Sequence, residues 1–204
     1  AYVRRQRQMC IRDRYNVNKS SLKDAVVALS WGSCTGEIIS KEGLLLTNHH
    51  CADDLIQFHS TTEKDYLKNG FWAMNKSEEL ANENLTASIL VRIENVTERV
   101  FSKINDSNTE DDRRKKIRAV ANEISNEISD TSNYTSRLKS FYGGNEFYLF
   151  IYETFLDVRL VGAPPSSIGK FGGDTDNWMW PRHTGDFTLL RIYSDTNNKP
   201  AKYS

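Results

Sequence analysis

Apolar and polar positions change rhythm several times along the chain, and each change predicts an element. Residues 25–29, 35–40 and 44–47 are short apolar or β-branched runs. Lys41-Glu42-Gly43 punctuates the last two, so the region reads as three strands ending in a hairpin. Residues 53–72 are mixed and predict short helical turns, whereas 85–93 alternates and predicts a further strand. The rhythm then lengthens. Residues 110–128 are dense in charge, yet Ile117, Val120, Ala121, Ile124 and Ile128 recur at three- and four-residue spacing, which predicts an amphipathic helix with a solvated outer face. Strand composition returns at 146–152 and 155–161. Residues 162–181, rich in Gly, Pro, Ser and Asp, read as a loop, and 187–193 as a last strand.

This order predicts a mainly β fold with helical insertions, the helical excursion covering about residues 94–130. Residues 1–14 fit neither period: Arg4, Arg5, Arg7, Arg12 and Arg14 surround Met9 and Cys10, and the segment reads as a non-native scar or a disordered arm. The fold proper is expected from 15 to 204. The chain ends just after a strand and a turn with no closing element, so the expectation is a fragment of a longer protein.

Composition narrows the function classes. Lys plus Arg and Asp plus Glu both number 27, so no charge excess favours nucleic acid or an anionic membrane surface. Aromatic residues at 11% indicate a packed protein rather than a disordered one. No apolar run reaches the ~20 residues that span a bilayer.

Candidate chemistry gathers first around Cys34 and Cys51, which bracket a hairpin ending in Asn48-His49-His50. A disulfide between them would fix the loop that presents His50, would imply an oxidising compartment, and would leave Cys10 as the odd thiol. Histidine beside cysteine also raises a metal site, but zinc needs further ligands, and only His59 and His183 remain, without a second paired-cysteine motif. His50, next to the cysteine, is the candidate general base; His49 is expected to be structural. A base of this kind needs a carboxylate to orient its ring. Asp186 stands at the mouth of the apolar strand Phe187-Thr188-Leu189-Leu190-Arg191-Ile192, whereas Asp174 and Asp176 lie in a Gly-rich loop that would hold them less rigidly.

The stretches SSLKDAVVALSWGSCTGEIISKEGLLLTNHHC and DVRLVGAPPSSIGKFGGDTDNWMWPRHTGDFTLLRIY closely resemble the dipeptidyl-peptidase 7 and 11 family of bacterial serine peptidases, the likeness running from about Tyr15 to the end. The resemblance implies a chymotrypsin-like double β-barrel, of which this chain supplies the first barrel in truncated form, with the second barrel and a large helical cap domain lying outside it. It implies that His50 is the catalytic histidine, Asp186 its orienting aspartate, and Asn177 and Trp178 the residues that bind the substrate's α-amino group. The nucleophilic serine is expected in the second barrel; Ser166 and Ser167, after Pro164-Pro165, lack the setting that supplies oxyanion-hole amides and read as turn residues. The implied partners are oligopeptides with a free amino terminus, the parent a homodimer, and the location periplasmic, cell-surface or secreted. No metal or organic cofactor is implied, and the chain alone is expected to be inactive. Two rivals remain: a peptide-binding module that keeps the barrel without catalysis, and a general endopeptidase. The long segment between His50 and Asp186 counts against the second.

Overall fold

The computed structural model describes residues 22–104, 109–131, 134–169 and 184–194, with side chains undescribed at 129–131. They divide into two compact units, one made of the described residues within 25–88 and 155–194, the other of those within 22–24 and 89–154.

The first unit is an antiparallel sheet. Its strands are β1 (Val26–Leu29), β2 (Cys34–Ile38), β3 (Leu44–Thr47), β4 (Phe71–Trp72), β5 (Leu80–Asn82), β9 (Asp157–Ala163) and β10 (Thr188–Tyr193), with helices α1 (Asp53–His59), α2 (Tyr66–Asn69) and α5 (Ser166–Gly169) in the connections. The strand order is β4-β9-β10-β3-β2-β1, with β5 also paired to β9, and among the described residues the path does not close on itself. Alternation in the sequence becomes alternation in burial: Val27 and Leu29 on β1, and Leu45 and Thr47 on β3, face inward. Register then aligns the apolar side chains across strands, Leu45 opposite Leu190 and Leu190 opposite Leu160, all three fully buried. Each contributes on the order of 2 kcal/mol by leaving water. The β2–β3 turn closes because Gly43 adopts φ 69°, and Ser40 Oγ accepts from the backbone of Glu42 and Leu44 at 3.2 and 3.1 Å.

Charge inside this unit is paired. Glu79, buried just before β5, accepts from Arg191 Nε at 2.9 Å and from the Tyr193 hydroxyl at 2.7 Å, which ties the start of β5 to β10. Arg159 donates to Asp157 and stacks its guanidinium 4.0 Å from the Tyr193 ring centre. Burial, then the bond to Glu79, pushes the Tyr193 phenol up to about 12.

The second unit contains β6 (Ala87–Asn95) from residue 89 on, α3 (Thr97–Ile104), α4 (Glu110–Thr131), β7 (Tyr134–Phe141) and β8 (Glu146–Phe155) up to residue 154, with strand order β6-β8-β7. Three periodicities meet in its core: Val100 and Ile104 on α3, Val120 and Ile124 on α4, and Phe147, Leu149 and Ile151 on β8. The helices contribute at a spacing of four and the strand at a spacing of two, so each element turns one face to the cluster. Asn95 Oδ1 accepts from the Thr97 backbone at 3.0 Å at the start of α3, and Thr109 Oγ1 caps α4 by accepting from Asp112 N at 3.1 Å. Glu110, Asp111 and Asp112 in the first turn of α4 complement its dipole.

The expected mainly β architecture with helical insertions is present, and its strands pair antiparallel. The loop expected from residue 162 starts later, because Gly162 and Ala163 still belong to β9, where Gly162 pairs with Trp72 of β4 and Leu189 of β10.

Candidate active site

The β3–β10 ladder builds the site. Thr47 pairs with Thr188, and continuing that antiparallel register two residues outward sets position 49 opposite position 186. The chain leaves β3 through extended Asn48 and tightens into a single 3₁₀ turn, His49–Cys51. Cys51 is joined to Cys34, the first residue of β2, with Cα atoms 6.0 Å apart and a sequence separation of 17. The turn is therefore held at its base by a strand and at its end by a covalent bond.

Asp186 lies at the centre of the donors this turn presents. Its Oδ1 accepts from the backbone N–H of His49 at 2.6 Å and of His50 at 3.2 Å. Its Oδ2 accepts from Asn48 Nδ2 at 2.9 Å and from His50 Nδ1 at 2.9 Å. Burial alone would raise the Asp186 carboxyl; the His50 backbone N–H, the Asn48 amide and the His50 ring outweigh it and hold the pKa below its ordinary value. Asp186 is thus an anion with four donors around it.

That anion determines the histidine's tautomer. A carboxylate oxygen can only accept, so Nδ1 of His50 carries the proton, and in the neutral ring the lone pair sits on Nε2. The His50 side chain is 36% exposed against 18% for Asp186, which leaves the outer part of the ring accessible while its partner is sheltered. This pair can take a proton at Nε2 and stabilise the imidazolium that results.

The other histidine of the pair faces inward. His49 is fully buried, with Nε2 3.0 Å from the Pro164 carbonyl oxygen and Nδ1 2.9 Å from Asp53 Oδ1. His59 lies elsewhere in the unit, its Nε2 donating to Asn82 Oδ1 at 3.0 Å. Ser166 and Ser167 open α5. Asn177, Trp178, Asp174, Asp176, His183 and Cys10 lie outside the described residues. Among the described residues, no group of three or more His, Cys, Asp or Glu side chains could hold a metal ion, and no helix is long and apolar enough to cross a membrane.

Asn48 and Asp53 are members of this cluster that sequence reasoning missed. The only signal for Asn48 was its place beside the two histidines; its bond to a residue 138 positions away has no local signature.

The family model for Peptidase S46 matches residues 3–204. The chain belongs to the Peptidase S46 family. It is 53% identical over 197 residues to an Asp/Glu-specific dipeptidyl-peptidase of Capnocytophaga gingivalis, covering 97% of this chain and 28% of that protein. A dipeptidyl-peptidase 7 of the same organism is 46% identical over 197 residues, covering 97% and 27%. Among solved structures, Porphyromonas endodontalis DPP11 in complex with substrate superimposes with a TM-score of 0.83 at 46% identity, covering 99% of this chain and 31% of that one. This member of the family therefore spans less than a third of the length of these relatives.

Proposed function

We propose that this chain supplies the histidine and the aspartate of a serine-type dipeptidyl-peptidase that releases dipeptides from the free amino end of oligopeptides. The nucleophilic serine is contributed by polypeptide downstream of these residues. The observation that carries the reading is the 2.9 Å bond from His50 Nδ1 to an Asp186 carboxylate already anchored by three other donors. In this mechanism the serine attacks the carbonyl of the substrate's second residue while His50 Nε2 takes its proton. His50 then delivers that proton to the leaving amine, and Asp186 keeps the ring oriented and balances its charge. Asn177 and Trp178 anchor the substrate's ammonium group, an amide oxygen accepting from it and an aromatic face attracting it. Anchoring there measures off two residues to the bond cleaved.

The higher identity to the Asp/Glu-specific enzyme than to dipeptidyl-peptidase 7 of one organism supports an acidic side chain at the second substrate position. The Cys34–Cys51 disulfide supports an oxidising location, periplasmic, cell-surface or secreted.

The test uses the full-length protein with free and N-acetylated dipeptide reporters, carrying either an acidic or an apolar second residue. An amino-terminus-dependent exopeptidase cleaves the free acidic reporter and loses the acetylated one. Equal cleavage of both would make the protein an endopeptidase, and cleavage of neither would make the cleft a peptide-binding module.

A further inference from the structure

We infer that His49 is a positioning residue for the His50–Asp186 pair, a role that rests on the functional reading above. The ring is sealed from water, with Nε2 bonded to the Pro164 carbonyl at 3.0 Å and an Asp53 carboxylate oxygen 2.9 Å from Nδ1. A carbonyl cannot donate, so Nε2 carries the proton it shares with Pro164, and the ring is held at that end with the Asp53 carboxylate close against the other. A merely space-filling residue would not need a polar ring here, because an apolar side chain of the same shape would fill the sealed site without burying polar atoms.

What the clamp fixes is the geometry around Asp186. The backbone N–H of His49 makes the shortest of the four bonds to that carboxylate, at 2.6 Å, so the ring and the bond share one rigid residue. The receiving side is held too. The Pro164–Gly169 turn that accepts the ring also accepts, at Ile168 O, the N–H of Gly185 at 2.9 Å, and Gly185 is the residue before Asp186. His49 thus grips both the loop that donates to the carboxylate and the segment that carries it. Close packing excludes slack: a Cβ on Gly169 would lie 2.4 Å from Cγ and Cδ2 of the ring. Displacing a reacting group by about 1 Å costs on the order of 100-fold in rate, so a grip of this kind acts on turnover rather than on affinity.

The experiment uses the full-length protein and a free dipeptide reporter, comparing His49→Phe, His49→Gln, Asp53→Asn and His50→Ala with the parent. His49→Phe keeps the ring volume and loses the bond to Pro164 and the polar contact with Asp53; kcat is expected to fall roughly 100-fold with KM changed less than about threefold. His49→Gln, which can still donate to Pro164, should recover about tenfold of that loss. Asp53→Asn, a milder change at a partly exposed side chain, should lower kcat by roughly tenfold and covers the case in which His49→Phe does not fold. A filler role would lower the melting temperature and leave kcat of the folded enzyme unchanged. If His49→Phe or Asp53→Asn keeps kcat within threefold of the parent while His50→Ala is inactive, the inference is wrong and the functional reading survives. If His50→Ala is itself active, the functional reading fails first, and the inference with it.

Discussion

Replacing Asp186 by Asn retains shape and removes the charge, and the four donors around that side chain set the size of the effect. An amide offers one acceptor oxygen, so in either orientation two of the four donors meet an NH2 group instead: the His49 and His50 backbone N–H groups, or Asn48 Nδ2 and His50 Nδ1. Three of these bonds are solvent-exposed and the one from His49 N is part-buried, so water can take up most of the released donors and two lost bonds cost about 1–3 kcal/mol in stability of the loop. The catalytic loss is separate. If the amide turns its NH2 toward Nδ1, the imidazole moves its proton to Nε2 and loses the lone pair that serves as base. Such a change in tautomer costs on the order of 10⁴ in kcat, or about 5 kcal/mol of barrier. The assay is steady-state hydrolysis of a free dipeptide reporter by the full-length protein, with circular dichroism to establish that Asp186→Asn is folded. pH adds a signature of sign. The Asp186 pKa is lowered in the folded state, so its contribution to stability is present above the ordinary value of 3.8 and is lost as pH falls through the lower folded value. The stability gap between the parent and Asp186→Asn should therefore be full at neutral pH and close in strong acid. A folded Asp186→Asn with kcat within tenfold of the parent would refute the assignment of the carboxylate as the orienting group.

Other outcomes follow from the same structure. Because the Tyr193 phenol is pushed up to about 12, its share of stability is present below pH ~10 and is lost as pH rises through 12, so alkaline unfolding monitored by urea melts should flatten in Tyr193→Phe. Removing the disulfide by Cys34→Ala with Cys51→Ala should lower stability by about 3 kcal/mol, read from chemical denaturation, given a closed loop with sequence separation 17. Leu149→Ala in the second unit should cost roughly 2–5 kcal/mol, because the side chain is fully packed between α3, α4 and its strand neighbours; a loss below 1 kcal/mol would show a core able to collapse.

What could be read from the chain depended on how local the signal was. The strands expected at 44–47 and 146–152 and the helix expected at 110–128 were legible because Leu45, Phe147, Leu149 and Ile124 repeat at the period of the face they bury, although the structure extends the second strand to 155 and the helix to 131. β7 was not: Tyr134–Phe141 is half-exposed, with Ser, Arg and Lys between its apolar residues, and forms because β8 offers it a partner in full register. α3 falls inside the helical excursion expected at about 94–130 but was not separable as a helix of its own, since eight residues give its two buried positions, Val100 and Ile104, too short a run to declare a period. In the site, His50, Asp186 and the two cysteines could be picked out by type and neighbourhood. The inward-facing partnership of His49 with Asp53 and Pro164 could not, because it depends on which way each side chain of a tight turn points.

The central claim is that His50, held by Asp186, activates a serine nucleophile. Labelling the full-length protein with a fluorophosphonate probe and counting modified serine by intact-mass analysis tests it most directly, because a hydroxyl reacts quickly only when a base takes its proton. The account predicts one adduct per chain in the parent and almost none in a folded His50→Ala. Equal labelling of the two proteins would contradict it.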